Sequence, residues 1–314
     1  MREELQRLND EWAELMFDGR FNEAWQISDR SLALRANLDC SSWPRHQQFI
    51  WRGQSLIDKK VLVRCYHGLG DTIQFSRLLA RLKSVARHVT AWVQPELLPL
   101  LGRIDGVDSW IPLHEGTPGV EYDVDIELSE LMHALRVEPR SLAQEVPYLL
   151  AEPIADASPA DRYRVGIVWA SGETDAQRSV PCDLFTPLES IAGVEWIVLQ
   201  RGPALEEWTH SFGRIPKIKD ICEEARLMQS LDLVITVDTC SAHLAGALGV
   251  PVWTLLCHNA DWRWMRGRAD TPWYPSMRLV RQSQAGNWID VLHEVFGSLS
   301  RVARAHTDLS LSLD

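Results

Sequence analysis

Two short stretches carry residues whose types and order could do chemistry. The first is His67-Gly68-Leu69-Gly70-Asp71-Thr72, just after the apolar run Val61-Leu62-Val63. The second is Asp238-Thr239-Cys240-Ser241-Ala242-His243, which closes the apolar run 233–238. A glycine-bearing turn from strand to helix lets backbone come close to a ligand, most often a phosphate. In the first stretch a carboxylate, Asp71, stands where a phosphate would want positive charge. Asp71 can be an N-cap, the commoner use at helix starts. It can also be a cleft-facing base that takes a hydroxyl proton. Gly68, Gly70 and Thr72 complete that turn.

The second stretch suits an anion. Cys240, Ser241, Ala242, Ala245, Gly246, Ala247 and Gly249 are small and let a helix sit close to a sheet with its N-terminus open. Exposed N–H groups and the helix dipole favour a pyrophosphate there. A tightly packed helix without ligand reads the same way, and His243 alone reads more readily as a core histidine. Thr239 is placed to cap the helix. A polar loop, 169–181, holds Arg178 beside Ser179. Arg178 is equally a surface arginine or a partner for a leaving diphosphate. The segment 258–275 carries Asp261, Trp262, Arg263 and Trp264. Its aromatics serve equally as a brace or as stacking faces for a base or sugar, with Asp261 as a hydroxyl contact.

The elements that must position these residues follow from periodicity. Leu5, Leu8, Trp12, Leu15 and Met16, then Phe21, Ala24, Trp25, Ile27, Leu32 and Leu34, predict two helices within 1–40. The pair resembles one tetratricopeptide unit. One such unit cannot bury both faces alone, so it must pack on the rest of the chain or on another protein, including a second copy. From residue 60 strands alternate with helices: strands at 61–66, 89–94, 109–113 and 122–128, with a helix over 72–86. Residues 151–162 lack periodicity and read as a linker. A second alternating set follows, with strands at 164–170, 195–200, 233–238 and 250–256 and helices at 184–192, 222–230, 240–249 and 287–304. The expected domains are 1–40, 41–150 and 163–304, the last helix able to pack back on the N-terminal domain, with 305–314 a frayed tail. Both chemical turns fall at the carboxyl ends of strands, where open α/β sheets bind ligands.

Composition narrows the partners. Among 314 residues, 32 Lys and Arg against 43 Asp and Glu give a net charge of −11. That argues against a general nucleic-acid surface. The N-terminus shows no apolar signal core, and no run approaches a membrane span, so a cytoplasmic protein is expected. Six scattered cysteines lack a C-x-x-C pair, so neither a metal site nor a disulfide framework is indicated. The first turn is not a dinucleotide fingerprint, because Ile73 stands where the third glycine belongs.

In order along the chain, "GLGDTIQFSRLLARL", "RVGIVWASG…RSVP", "LDLVITVDTCSAHLAGALGVPVWTLL" and "DWRWMRGRADTPWYPSMRLVRQ" resemble glycosyltransferase family 9. This bacterial, heptosyltransferase-like group is closest in look in its branch with N-terminal tetratricopeptide helices. The resemblance covers roughly 45–300 and implies an α/β, GT-B-like fold: two Rossmann-like parallel-sheet domains facing a cleft, here with a helical hairpin in front. It implies an inverting, metal-independent transfer from a nucleotide-diphospho-sugar, ADP-linked heptose being the family's own, with no other cofactor. By position, Asp71 matches the family's proposed base. Asp238, Thr239, Cys240, Ser241 and His243 match its donor turn, and Arg178 its basic phosphate contact. The acceptor would be a glycan, a lipid-linked glycan or a protein. Cys240 departs from the family's glycine. A scaffold that kept the fold without the chemistry, with residues 1–40 for a protein partner, is the alternative; a nucleotide-sugar epimerase is a third.

Overall fold

The computed structural model of the chain describes residues 2–154, 162–172 and 175–311. It divides into two compact units: Met1–Leu149 with Trp262–Arg266, and Leu150–Asp261 with Gly267–Asp314.

The first unit opens with helices α1 (Arg2–Phe17) and α2 (Phe21–Arg35). Gly19 takes φ +72° in the turn between them, a conformation that costs glycine nothing. Helices this short are marginal alone. Leu8, Met16, Phe21, Trp25 and Ile27 are buried, each large side chain contributing about 1.5–3 kcal/mol. Polar ties add direction. Trp25 donates from Nε1 to the Val137 carbonyl at 2.9 Å, and Asp29 meets His133 at 2.8 Å and Arg136 at 2.7 Å.

Next comes a four-stranded parallel sheet of β1 (Lys60–Arg64), β2 (His88–Val93), β3 (Ser109–Pro112) and β4 (Val124–Glu127), in the order β3-β2-β1-β4. Val61, Leu62 and Val63 are buried on both faces, as a central parallel strand requires. The helix expected over 72–86 is two helices, α3 (Leu69–Ser76) and α4 (Leu78–Lys83). The break falls at Arg77. Its guanidinium donates to the carbonyls of Gln74 (3.1 Å) and Leu142 (3.3 Å). Short helices α5 (Leu98–Leu101), α6 (Leu131–Ala134) and α7 (Pro139–Leu142) finish the unit.

The second unit is a five-stranded parallel sheet of β5 (Tyr163–Val168), β6 (Val194–Val198), β7 (Leu233–Val237), β8 (Val252–Leu256) and β9 (Met277–Arg281), ordered β6-β5-β7-β8-β9. The edge strand β9 was not among the expected elements. Helices α8 (Ile221–Met228), α9 (Cys240–Ala247) and α10 (Trp288–Leu311) accompany the sheet. A helix expected at 184–192 is a 3₁₀ stretch, Cys182–Ser190, with Pro187 inside it removing a donor. The last helix packs on β5, β9 and the 3₁₀ stretch of its own unit. It runs to residue 311, through much of the expected tail, whose end (312–314) lies outside the described residues. So does most of the expected linker, 155–161.

Strand order creates one reversal per sheet. In the first it lies between β1 and β4, in the second between β5 and β7. The crevice at the carboxyl ends of such strands is where open sheets bind ligands. No helix among the described residues is long and apolar enough to cross a membrane.

Candidate functional site

At the first reversal, β1 leads into His67 and Gly68, and α3 begins at Leu69. Asp71 lies in the first turn of α3 and is engaged on both oxygens. Oδ2 accepts from the Gly68 N–H at 3.1 Å, and Oδ1 pairs with the Arg263 guanidinium. Gly68 makes room: a Cβ there would meet the Asp71 carboxylate at 3.2 Å. Arg263 also donates from Nε to Gln74 Oε1 at 2.8 Å. Thr72 donates to Gln94 Oε1 (3.1 Å), while Gln94 donates to the His67 carbonyl (2.7 Å), so the turn is braced from β2. Gly70 sits within the first turn of α3.

Beside this turn stands Glu127, the last residue of β4. It is buried, and one carboxylate oxygen accepts from the Tyr66 N–H at 3.2 Å, with His67 Nε2 at 3.7 Å. Burial pushes its carboxyl well above the usual range, and the Tyr66 N–H only partly opposes this.

Trp262, Arg263 and Trp264 belong to the unit that holds Asp71, whereas Asp261 closes the stretch of the second unit before them. Trp262 meets Trp12 of α1 edge-on at 5.2 Å. Trp264 is fully buried, so the stacking face expected of it is covered by core.

At the second reversal, β7 ends and α9 begins. Thr239 sits at the cap position but makes no side-chain cap, contrary to the reading of the sequence, and no acidic residue lies in the first turn. Asp238 is buried and tied to Arg178, which donates from Nη1 to its carbonyl at 3.3 Å and lies 3.8 Å from its carboxylate. Arg178 is also 3.3 Å from Asp175. Ser179 accepts from the Ser171 N–H at 3.0 Å, which ties the loop after β5 to itself. Ser241 donates to the buried Glu224 of α8 at 2.9 Å. His243 is buried, its Nδ1 3.0 Å from the Tyr274 hydroxyl. Gly246, one turn on, has the Tyr274 ring within 2.5 Å of where a Cβ would stand, so only glycine fits. His243 is thus a hydrogen-bonded core residue beneath the turn.

A cavity of about 650 Å³ opens here, lined by Ser171, Ser179, Thr239, Cys240, Ser241 and Arg201 among others. Its volume suits a nucleotide-sized ligand. Arg201 reaches Glu224 at 2.9 Å. Burial raises the Glu224 carboxyl, and Arg201 and Ser241 pull against that.

No protein-family model matches the chain. It is 25% identical over 333 residues to protein FlbA of Caulobacter vibrioides, with 94% of this chain covered. The chain spans about half the length of that relative, 54%. A solved glycosyltransferase of family 9 from Veillonella parvula superposes with a TM-score of 0.56 at 14% identity, covering 80% of this chain and 99% of that one. The E. coli ADP-heptose lipopolysaccharide heptosyltransferase II gives 0.53 at 15%, covering 78% and 99%. The chain has the fold of these glycosyltransferases. The GT-B-like architecture expected from the motifs is therefore present, with the helical hairpin added in front.

Three site residues escaped the reading of the sequence. Arg201 follows β6 within "LQRG", and a cation just after a parallel strand was the signal available. Glu127 carried the same kind of signal, a carboxylate at a strand's carboxyl end. Glu224 had none, because only the fold brings α8 beside α9.

Proposed function

We propose that the protein is a glycosyltransferase that moves a sugar from a nucleotide-diphospho-sugar to an acceptor hydroxyl, inverting the anomeric centre without a metal. The observation that carries this reading is the start of α9. It is a helix N-terminus at a sheet reversal, without side-chain cap or first-turn acid, opening on a cavity with Arg201 in its wall. The donor's diphosphate would lie there. The helix dipole and Arg201 would stabilise the charge it gains as the anomeric C–O bond breaks and the electron pair leaves with the diphosphate. In the first unit Asp71 would take the proton from the acceptor hydroxyl as the new C–O bond forms. To do so it must let go of Arg263, which could then meet developing negative charge.

A non-catalytic reading has one observation in its favour. Asp71 caps its own turn and is ion-paired, as a purely structural aspartate would be. A thermal-shift screen against nucleoside diphosphates and diphospho-sugars, with and without chelator, separates the two. A ligand that binds the folded state alone raises Tm. A clear shift with one nucleotide, retained in chelator, fits the transferase. No shift with any of them, checked by calorimetry, sinks it. The sugar is a hexose or heptose on this reading, and the fold's own ADP-heptose relative makes ADP-linked donors the first to try.

A further inference from the structure

The first unit holds a second cavity, of about 400 Å³, beside the Asp71 turn, with His67 and Arg263 in its lining. The inner face of the α1–α2 hairpin forms one wall, and the turn holding Asp71 lies at its edge. Trp12 and Trp262 present half-buried rings to it, Ser31 a hydroxyl, and Glu130 and Arg263 charged groups. The hairpin is fastened around this space. Arg266 grips Glu14 of α1 through two bonds of 2.6 and 2.9 Å, and Arg35 of α2 meets Glu130 at 3.2 Å.

The lining selects a ligand class. A lipid tail would want an apolar wall throughout. A phosphate would want cations in excess, but both arginines here are matched by a carboxylate, Arg35 by Glu130 and Arg263 by Asp71, and the two histidines of the lining face carboxylates as well, His133 Asp29 at 2.8 Å and His67 Glu127 at 3.7 Å. Charge is balanced, while donors and acceptors lie side by side between aromatic rings. Such an arrangement suits a neutral ring rich in hydroxyls, its C–H face against tryptophan and its diols against guanidinium–carboxylate pairs. The volume is near the lower end for small-ligand sites, enough for a sugar or two and not for a chain.

We propose that this hairpin-walled cavity seats the terminal neutral sugar of the acceptor, presenting its hydroxyl to the Asp71–Arg263 pair. This rests on the transferase reading and gives the hairpin a substrate-binding role in place of a protein-docking one.

Saturation-transfer NMR with methyl glycosides tests it: glucoside, galactoside, mannoside, N-acetylglucosaminide and, as the charged control, glucuronide. At least one neutral glycoside should give a signal. That signal should vanish in Trp12→Ala, which removes a wall, and in Ser31→Trp, which fills the space. The Tm shift caused by the nucleoside diphosphate should stay as in wild type in both variants, showing that they fold. No signal from any neutral glycoside, a signal from glucuronide alone, or a signal that survives Ser31→Trp overturns the proposal. Loss of the nucleotide shift in the wild type would instead remove the transferase reading, so the two failures are told apart.

Discussion

Helices α3 and α9 make an instructive pair. Each spans eight residues, and each starts beside the reversal of a parallel sheet. Their N-termini are used in opposite ways. In α3 the positive end of the dipole meets the helix's own carboxylate, Asp71, which also binds the Gly68 N–H. In α9 the cap residue turns no side chain to the backbone, Ser241 points down to Glu224, and the preceding Asp238 is tied to Arg178. A carboxylate in the first turn of α3 discourages an anion, whereas α9 invites one. On the proposed function, the same strand–turn–helix unit serves a hydroxyl in one place and a diphosphate in the other.

The sharpest way to break this comparison is Asp71→Asn. Asparagine keeps the shape and can still accept from Gly68, but it cannot take a proton at the pH of the reaction. Sugar transfer should fall by about 10²- to 10⁴-fold, the usual worth of a general base, while the nucleotide-induced Tm shift is unchanged. Full turnover in the variant would remove Asp71 as base and leave it a capping residue.

Arg201→Met tests the other half. Methionine keeps the apolar stem and deletes the charge. If Arg201 meets the diphosphate, nucleoside diphosphate affinity by calorimetry should weaken about tenfold to a hundredfold, as for one charge-assisted hydrogen bond. Arg178→Met should cost less binding, because Arg201 stands in the cavity wall whereas Arg178 turns to Asp175 and Asp238. The reverse ranking would return the phosphate contact to the loop after β5.

That ranking also marks where the sequence stops informing. The alternation of strands and helices, the parallel sheets and both turns could be read from period and punctuation, because those signals are local. Which groups partner the turns could not. Arg263 is 192 positions from Asp71, and Arg201 is joined to Ser241 through Glu224. The bond from Arg77 to the Leu142 carbonyl, 65 positions away, was equally hidden. Nor did β9 stand out: "MRLVR" sets its arginines three positions apart, off the two-residue period of a strand, and its pairing with β8 makes it one.

Each unit also buries one glutamate by its turn, and the two differ in what opposes the burial. Glu224 has the Arg201 cation, whereas the nearest help for Glu127 is a backbone N–H; Arg64 acts more weakly, and Glu130 and Asp71 push the same way as burial. Glu127 therefore holds its proton in the folded chain at pH values where the unfolded chain has released it. Across that window the folded state binds more protons, so stability falls as pH rises from the ordinary carboxylate range towards the raised one. Glu127→Gln keeps the carbonyl that accepts from Tyr66 and never titrates. The Tm of Glu127→Gln minus that of wild type should grow as pH rises from the ordinary carboxylate range towards the raised one. A constant offset across that range would mean that the Glu127 carboxyl titrates alike in the folded and unfolded chain. Glu127 would then stand beside His67 as a carboxylate, not as a neutral acid.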